Sequence, residues 1–319
     1  MIIETEHLSK TYKNGFIAVK DLNIRVNKGD IFGFLGPNGA GKTTTIRMLD
    51  GLLAPTIGKV LIDGMDIQKT PVEIKRIIGV VPESHGYYEW MTAEEYLLYF
   101  SSLFESGSGD EKYTSELLRK VGLETKRNVP VGQFSRGMKQ RLGIAKSLVN
   151  HPKVIFLDEP TLGLDPRGQK EIQQLLLDIN NIKDVTVFIT SHLLKDIEVL
   201  CDTVCIIKDG RQVEQGSIRQ LQKKYMPGYN MLISTSDNSV AMSLLRNINE
   251  IEKIYADGDS LIVKFSSTLS QDEVNMLLHR MVTIILTANI DIKEMTKKTL
   301  GMEDIFFRAT ELGKNGLEV

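Results

Sequence analysis

The sequence predicts an α/β protein: a mostly parallel sheet covered by helices, a small antiparallel layer, a helical insertion, and a second, smaller α+β domain. Three observations carry this. The apolar run Ile31-Phe32-Gly33-Phe34-Leu35 meets a glycine-rich loop and then helix-compatible Thr43 to Leu49, which is a strand, a loop and a helix in order. Three more short apolar runs, Ile77 to Val81, Val154 to Leu157 and Val185 to Ile189, are bounded by turn formers or charge, as strands buried on both faces are. Beyond Pro227-Gly228 the pattern changes to alternating short strands and helices.

Ile2 to Glu6, Phe16 to Val19, Leu22 to Val26 and Val60 to Ile62, the last ending at Asp63-Gly64, form the antiparallel layer. Tyr87 to Val149 is mainly helical and interrupts the sheet-forming parts. Its first portion holds Tyr87, Tyr88, Trp90, Tyr96, Tyr99, Phe100 and Phe104, a cluster dense enough to be a small helical core or a docking surface. Ser106-Gly107-Ser108-Gly109-Asp110 is expected to be a flexible surface loop. In the helix Gly168 to Ile182, the residues Ile172, Leu175, Leu176 and Ile179 make one apolar stripe that would pack on the sheet. Val204 to Ile207 turns back at Asp209-Gly210 as a hairpin, and a polar helix follows to Lys224. Met231 to Ser234, Asn238 to Leu245, Ile251 to Tyr255, Leu261 to Phe265 and a helix from Ser270 suggest a β-α-β-β-α-β module, followed by a helix at Met302 to Leu312.

A length of 319 residues favours about two domains. With 42% hydrophobic and 25% charged residues, the balance is that of a soluble globular chain. The most apolar stretch, Met281 to Ile290, is broken by Thr283, Thr287 and Asn289 and is far shorter than the roughly 20 residues of a membrane span. Met1 to Glu6 lacks the basic start and long apolar run of a secretion signal. Net charge is +2 through Lys224 and −4 beyond it, so neither part has the electropositive footprint of a nucleic-acid binder. The two cysteines, Cys201 and Cys205, exclude a disulfide framework or a four-thiolate zinc site and are expected as buried thiols.

Chemistry concentrates in two places. Gly36-Pro37-Asn38-Gly39-Ala40-Gly41-Lys42-Thr43 fits G-x-x-x-x-G-K-[ST] directly between a predicted strand and a predicted helix. Glycines let backbone N–H groups curl around phosphate oxygens, Lys42 reaches the terminal phosphates, and the Thr43 hydroxyl serves Mg²⁺. With Thr44 beside it, this run supplies the candidate nucleotide-binding residues. At Val154-Ile155-Phe156-Leu157-Asp158-Glu159 an apolar strand delivers two adjacent carboxylates at its C-terminal end, where open α/β sheets bind ligands. Asp158 would support the Mg²⁺ shell and Glu159 would polarise an attacking water.

Over residues 1 to about 222 the surrounding segments resemble the ATP-binding cassette (ABC) ATPases. Tyr12, in Leu8-Ser9-Lys10-Thr11-Tyr12, is similar to the family's adenine-stacking aromatic. Phe134-Ser135-Arg136-Gly137-Met138-Lys139-Gln140-Arg141 resembles its signature, Leu164-Asp165 its D-loop, and Thr190-Ser191-His192 its switch-histidine segment. Order and spacing fit: Lys42 precedes Ser135 by 93 positions and His192 follows Glu159 by 33. Each element has an ordinary structural alternative, since Ser135 and Asp165 are also good helix caps and a lone histidine is usually structural. The conjunction with the glycine-rich loop outweighs these.

The resemblance implies a cassette at residues 1–222, its helical subdomain at about 84–149, and a small α+β domain at 223–319. It implies catalytic Glu159 and His192, Mg²⁺ held by Thr43, Asp158 and Glu83, and Ser135, Gly137 and Asp165 acting on a nucleotide held by a second cassette, in a homodimer or heterodimer. Arg136 and Met138 stand where many members have glycine and glutamine, and Glu83 stands where glutamine is usual in the Q-loop. Pro82-Glu83 followed by Gly86-Tyr87-Tyr88, with Met302-Glu303-Asp304-Ile305-Phe306, resembles the ATP-binding subunits of drug, peptide and sodium exporters more than importer subunits. An ATP-hydrolysing transporter subunit is therefore expected at the cytoplasmic face of the membrane, driving a separately encoded integral membrane permease, with no nucleic acid involved. The alternative is a soluble ABC ATPase acting on a partner such as the ribosome; against it, this sequence has neither two cassettes nor a basic linker.

Overall fold

The computed structural model describes residues 1–84, 86–104, 110–183 and 185–312. The chain divides into two compact units, one of Met1–Ile218 with the described residues from Ala309, the other of Arg219–Arg308. The division expected after residue 222 falls within the helix Ile218–Tyr225.

In the larger unit a six-stranded sheet runs in the order Arg211–Ser217, Thr203–Lys208, Ile31–Leu35, Thr186–Ser191, Val154–Asp158, Ile78–Val81. The first pair is an antiparallel hairpin and every other pairing is parallel. Every residue of Ile31–Leu35, Val154–Asp158 and Thr186–Ser191 is buried, which is why these strands are continuous apolar runs. Phe188 touches the rings of Phe32, Phe34 and Phe156 with centroids 5.2 to 5.6 Å apart. Because the strands are parallel, the chain leaves four of them on the same edge of the sheet. Those exits carry the glycine-rich loop after Leu35, Glu83 after Val81, Glu159 after Asp158 and His192 after Ser191.

The antiparallel layer runs Ile17–Leu22, Ile3–Thr11, Ile57–Ile62, Met65–Asp66, with Arg25–Val26 also on Ile3–Thr11. Its inward residues Ile3, Val19 and Ile62 join the core of the parallel sheet. In the insertion, Ala93–Ser102 starts at a capping box of Thr92 and Glu95, Glu111–Lys120 at Asp110, and Arg136–Ser147 at Ser135. Ser106 to Gly109 lie outside the described residues. The aromatic cluster divides: Tyr96 is fully buried and Tyr88 packs on Trp90, Tyr96, Tyr99 and Phe100, whereas Trp90 is 73% exposed. Core and open surface coexist in it. Two short helices, Pro71–Ile77 and Leu194–Leu200, go beyond the sequence expectation, seven residues being too few to establish a period.

The smaller unit is the expected β-α-β-β-α-β module. Its strands Asn230–Thr235, Ile251–Asp257, Ser260–Phe265 and Ile292–Lys297 are all antiparallel, with Asn230–Thr235 and Ser260–Phe265 central. Helices Asn238–Leu245 and Gln271–Thr287 supply Leu245, Leu277, Met281 and Ile285 to a core with Ile233, Val263 and Phe265. The stretch from Met281 thus lies mainly on an amphipathic helix. Among the described residues no helix is long and apolar enough to cross a membrane. Cys201 and Cys205 are free and buried, and burial raises both thiol pKa values.

Candidate active site

The glycine-rich loop ends at Gly41, whose φ of 104° lies in the left-handed region and whose added Cβ would come 2.5 Å from the Ala18 carbonyl oxygen. Only glycine fits there. The helix Lys42–Leu49 therefore starts without a side-chain cap, leaving its first N–H groups for a ligand. Lys42 is buried, and its Nζ donates to the carbonyls of Gly36 at 2.9 Å and Pro37 at 3.4 Å.

Opposite the loop, Glu159 adopts a φ of 52°, which turns the chain sharply out of its strand. Its carboxylate lies between Lys42 and His192: Oε1 is 3.5 Å from Lys42 Nζ, and Oε2 is 2.8 Å from His192 Nδ1 and accepts the His192 backbone N–H at 3.3 Å. Asp158 is buried, and its Oδ1 accepts the Thr190 hydroxyl at 2.6 Å. Among the described residues its Oδ2 carries no hydrogen bond.

A 520 Å³ cavity brings together Asn38, Gly39, Gly41, Lys42, Thr43, Thr44, Glu83, Glu159 and His192, with Phe16, Ala18 and Leu162. An adjoining 260 Å³ pocket contains Thr43, Glu83 and Asp158, three hard oxygen donors, with the free Asp158 oxygen as an orphaned buried acceptor. That donor set suits Mg²⁺, which takes one or two carboxylates and completes its octahedron with water and phosphate. Among the described residues no cluster of three or more His, Cys, Asp or Glu makes a self-sufficient metal cage.

Tyr12 does not line this cavity; its hydroxyl lies 3.3 Å from Thr44 Oγ1 and its ring stacks on Phe16 with centroids 6.4 Å apart. Phe16 itself lines the cavity, a position that sequence reasoning missed. Ser135, Gly137 and Asp165 do not line it. Ser135 accepts the Met138 N–H at 3.3 Å and Asp165 accepts the Gly168 N–H at 3.2 Å, so in this chain both are helix caps. The unusual Arg136 lays its guanidinium against Gly163, where an added Cβ would approach it to 2.5 Å. A further buried carboxylate, Asp196, accepts from Thr161 Oγ1 at 2.6 Å and Gln173 Nε2 at 3.0 Å, joining the segment after Glu159 to the helix after His192.

A phosphate-binding loop, two carboxylates and a histidine on one edge of a parallel sheet define a P-loop nucleoside triphosphatase site. The family described as ABC transporter matches residues 19–162. The chain is 39% identical to the bacitracin transport ATP-binding protein BcrA of Bacillus licheniformis, over 96% of each chain. It is 30% identical to the linearmycin resistance ATP-binding protein LnrL of Bacillus subtilis, over 87% of this chain and 89% of that one. Among solved structures it resembles a dimeric post-hydrolysis state of the ATP-binding cassette MJ0796 bound to ADP and Pi, at 28% identity and a TM-score of 0.63, over 68% of this chain and 99% of that one. The chain belongs to the ATP-binding proteins of ABC transporters, and is an ABC-type ATPase.

Proposed function

We propose that this chain is the ATP-hydrolysing subunit of an exporter, working as a head-to-tail pair of cassettes on a separately encoded membrane permease. The observation that carries the reading is the incompleteness of the site: the loop, Glu159 and His192 share one cavity, while Ser135 and Gly137 lie outside it at a capped helix N-terminus. A second copy would bring that N-terminus to the γ-phosphate. Lys42 would exchange its loop carbonyls for phosphate oxygens. Glu159 would accept a hydrogen bond from the attacking water, and His192 would hold the carboxylate and face the phosphoryl group. Thr43, Asp158 and Glu83 would hold Mg²⁺, which neutralises phosphate charge when bound. Asp165 would extend the contact between the cassettes.

A 320 Å³ groove supports the membrane partner. Leu52, Ile78, Val80, Phe100, Phe104 and Val149 make it apolar, and Lys146 places its ammonium 5.4 Å from the centre of the Phe100 ring. Leu52 is 72% exposed at its rim, an apolar surface suited to a cytoplasmic segment of the permease. The relatives named for bacitracin transport and linearmycin resistance favour export. In this reading the chain works at the cytoplasmic face of the membrane.

The decisive variant is Glu159→Gln. Steady-state ATPase turnover should fall by roughly a hundredfold or more, as expected for loss of a general base, while ATP binding persists and ATP-dependent dimers accumulate in size-exclusion chromatography. Unchanged turnover would remove Glu159 from the chemistry.

A further inference from the structure

We infer that Thr190 is a positioning residue, whose single hydroxyl sets the geometry of both carboxylates at the strand end. The inference rests on the roles proposed above for Asp158 and Glu159. Parallel register pairs Asp158 with Thr190, so their side chains leave neighbouring strands on the same face. The Thr190 hydroxyl donates its one proton to Asp158 Oδ1 at 2.6 Å. A lone pair of the same oxygen accepts the Glu159 N–H at 3.1 Å, and the Thr190 carbonyl accepts that N–H at 3.2 Å. Thr190 has no exposed surface, so bulk water cannot take over these bonds.

Two consequences follow from a hydroxyl having one proton and two lone pairs. Committing the proton to Oδ1 fixes the Asp158 carboxylate in rotation and leaves Oδ2 as its free oxygen, with Asp158 on the pocket shared with Thr43 and Glu83. Holding the Glu159 N–H keeps that residue in its left-handed conformation, in which its carboxylate reaches Lys42 and His192. The strand that carries Thr190 continues into His192, so one side chain ties the spacing of Asp158, Glu159 and His192 together. Loss of the hydroxyl would free Asp158 to rotate and leave the Glu159 N–H to the Thr190 carbonyl alone.

The test compares Thr190→Val, nearly isosteric but without the hydroxyl, with Thr190→Ser, which keeps it, and with Asp158→Asn as reference. Affinity for a fluorescent ATP analogue is measured with excess Mg²⁺ and with EDTA, alongside kcat, KM and the Mg²⁺ concentration at half-maximal rate. For Thr190→Val we expect kcat to fall about tenfold to a hundredfold and the half-saturating Mg²⁺ to rise several-fold, as for loss of a hydrogen bond to a charged group. Affinity in EDTA should stay within about twofold, and serine should restore all parameters to within about threefold of the parent, since the bonds to Asp158 and Glu159 are re-formed. Equal loss of affinity with and without metal, or no rescue by serine, would reduce Thr190 to a core residue and overturn the inference. If the valine chain does not fold, Thr190→Cys, a weak donor of similar volume, is read by the same criteria. Normal metal dependence in Asp158→Asn would overturn the underlying reading and the inference with it; a shift there, with none in Thr190→Val, would overturn the inference alone.

Discussion

Lys42, Glu159 and His192 are identifiable from sequence because each sits in a short contiguous motif whose chemistry depends on its neighbours in the chain. The place of Phe16 and the role of Thr190 are not, because they depend on pairing between strands. A tight hairpin, in which the Tyr12 N–H reaches the Phe16 carbonyl at 2.8 Å and the Gly15 N–H reaches the Tyr12 carbonyl at 2.9 Å, carries Phe16 onto the cavity wall and stacks its ring on Tyr12. Phe16 is thus a second candidate, beside Tyr12, for the ring that stacks on adenine. Stacking of a base on an aromatic ring is worth about 1–3 kcal/mol, so Phe16→Ala should raise the Kd for ATP about tenfold and Tyr12→Ala only about threefold. Fluorescence titration of the two variants decides the matter, and a larger loss for Tyr12→Ala would place the tyrosine on the base.

At the scale of elements, long or strongly apolar segments declare themselves, whereas short ones are fixed by what they pack against. The seven residues Pro71–Ile77 form a helix although Ile77 belongs, by hydrophobicity alone, with the apolar strand that follows. The close approach of that strand to the helix Arg136–Ser147 is equally invisible in sequence: an added Cβ at Gly79 would lie 1.9 Å from the Ser147 carbonyl oxygen. Nor does the pattern disclose that Asp50, the C-cap of the helix Lys42–Leu49, is buried. Burial raises its pKa from 3.8 to about 6, against the smaller opposing effect of the Leu52 N–H that its Oδ1 accepts at 2.8 Å. The folded chain therefore holds this proton more tightly than the unfolded one. The stabilisation is complete below the unfolded pKa of 3.8 and is lost as pH rises through about 6. A shift of this size corresponds to roughly 3 kcal/mol. Asn keeps the acceptor but does not titrate, so Asp50→Asn should gain stability relative to the parent between about pH 4 and pH 7. Urea unfolding midpoints across that range give the measurement, and parallel pH profiles for the two chains would rule out Asp50 as their source.

For the molecule as a whole, the parallel sheet, the antiparallel layer and the β-α-β-β-α-β module could all be anticipated, because each rests on a hydrophobic period that survives folding. The proposed assembly of a complete catalytic site from two copies rests on the family resemblance, since no spacing within one chain says that Ser135 would face another chain's phosphate loop. A complementation experiment separates the proposed pair from a chain that acts alone. In a head-to-tail dimer each site combines Lys42 of one copy with Ser135 of the other, as two-fold symmetry requires. Lys42→Ala and Ser135→Arg should each abolish activity in their own homodimers. Mixed together, they form a heterodimer in which both defects fall on one site, and the other site keeps an intact lysine and an intact serine. Random exchange makes half of the dimers mixed, each with one working site, so the mixture should recover about a quarter of the parent's ATPase activity if the sites act independently. Measurable activity below that quarter, with exchange verified, would mean that a working site turns over more slowly beside a dead one. No recovery at all, with exchange verified and each variant still binding nucleotide through its remaining elements, would overturn a pair of independently working sites shared between Lys42 of one copy and Ser135 of the other.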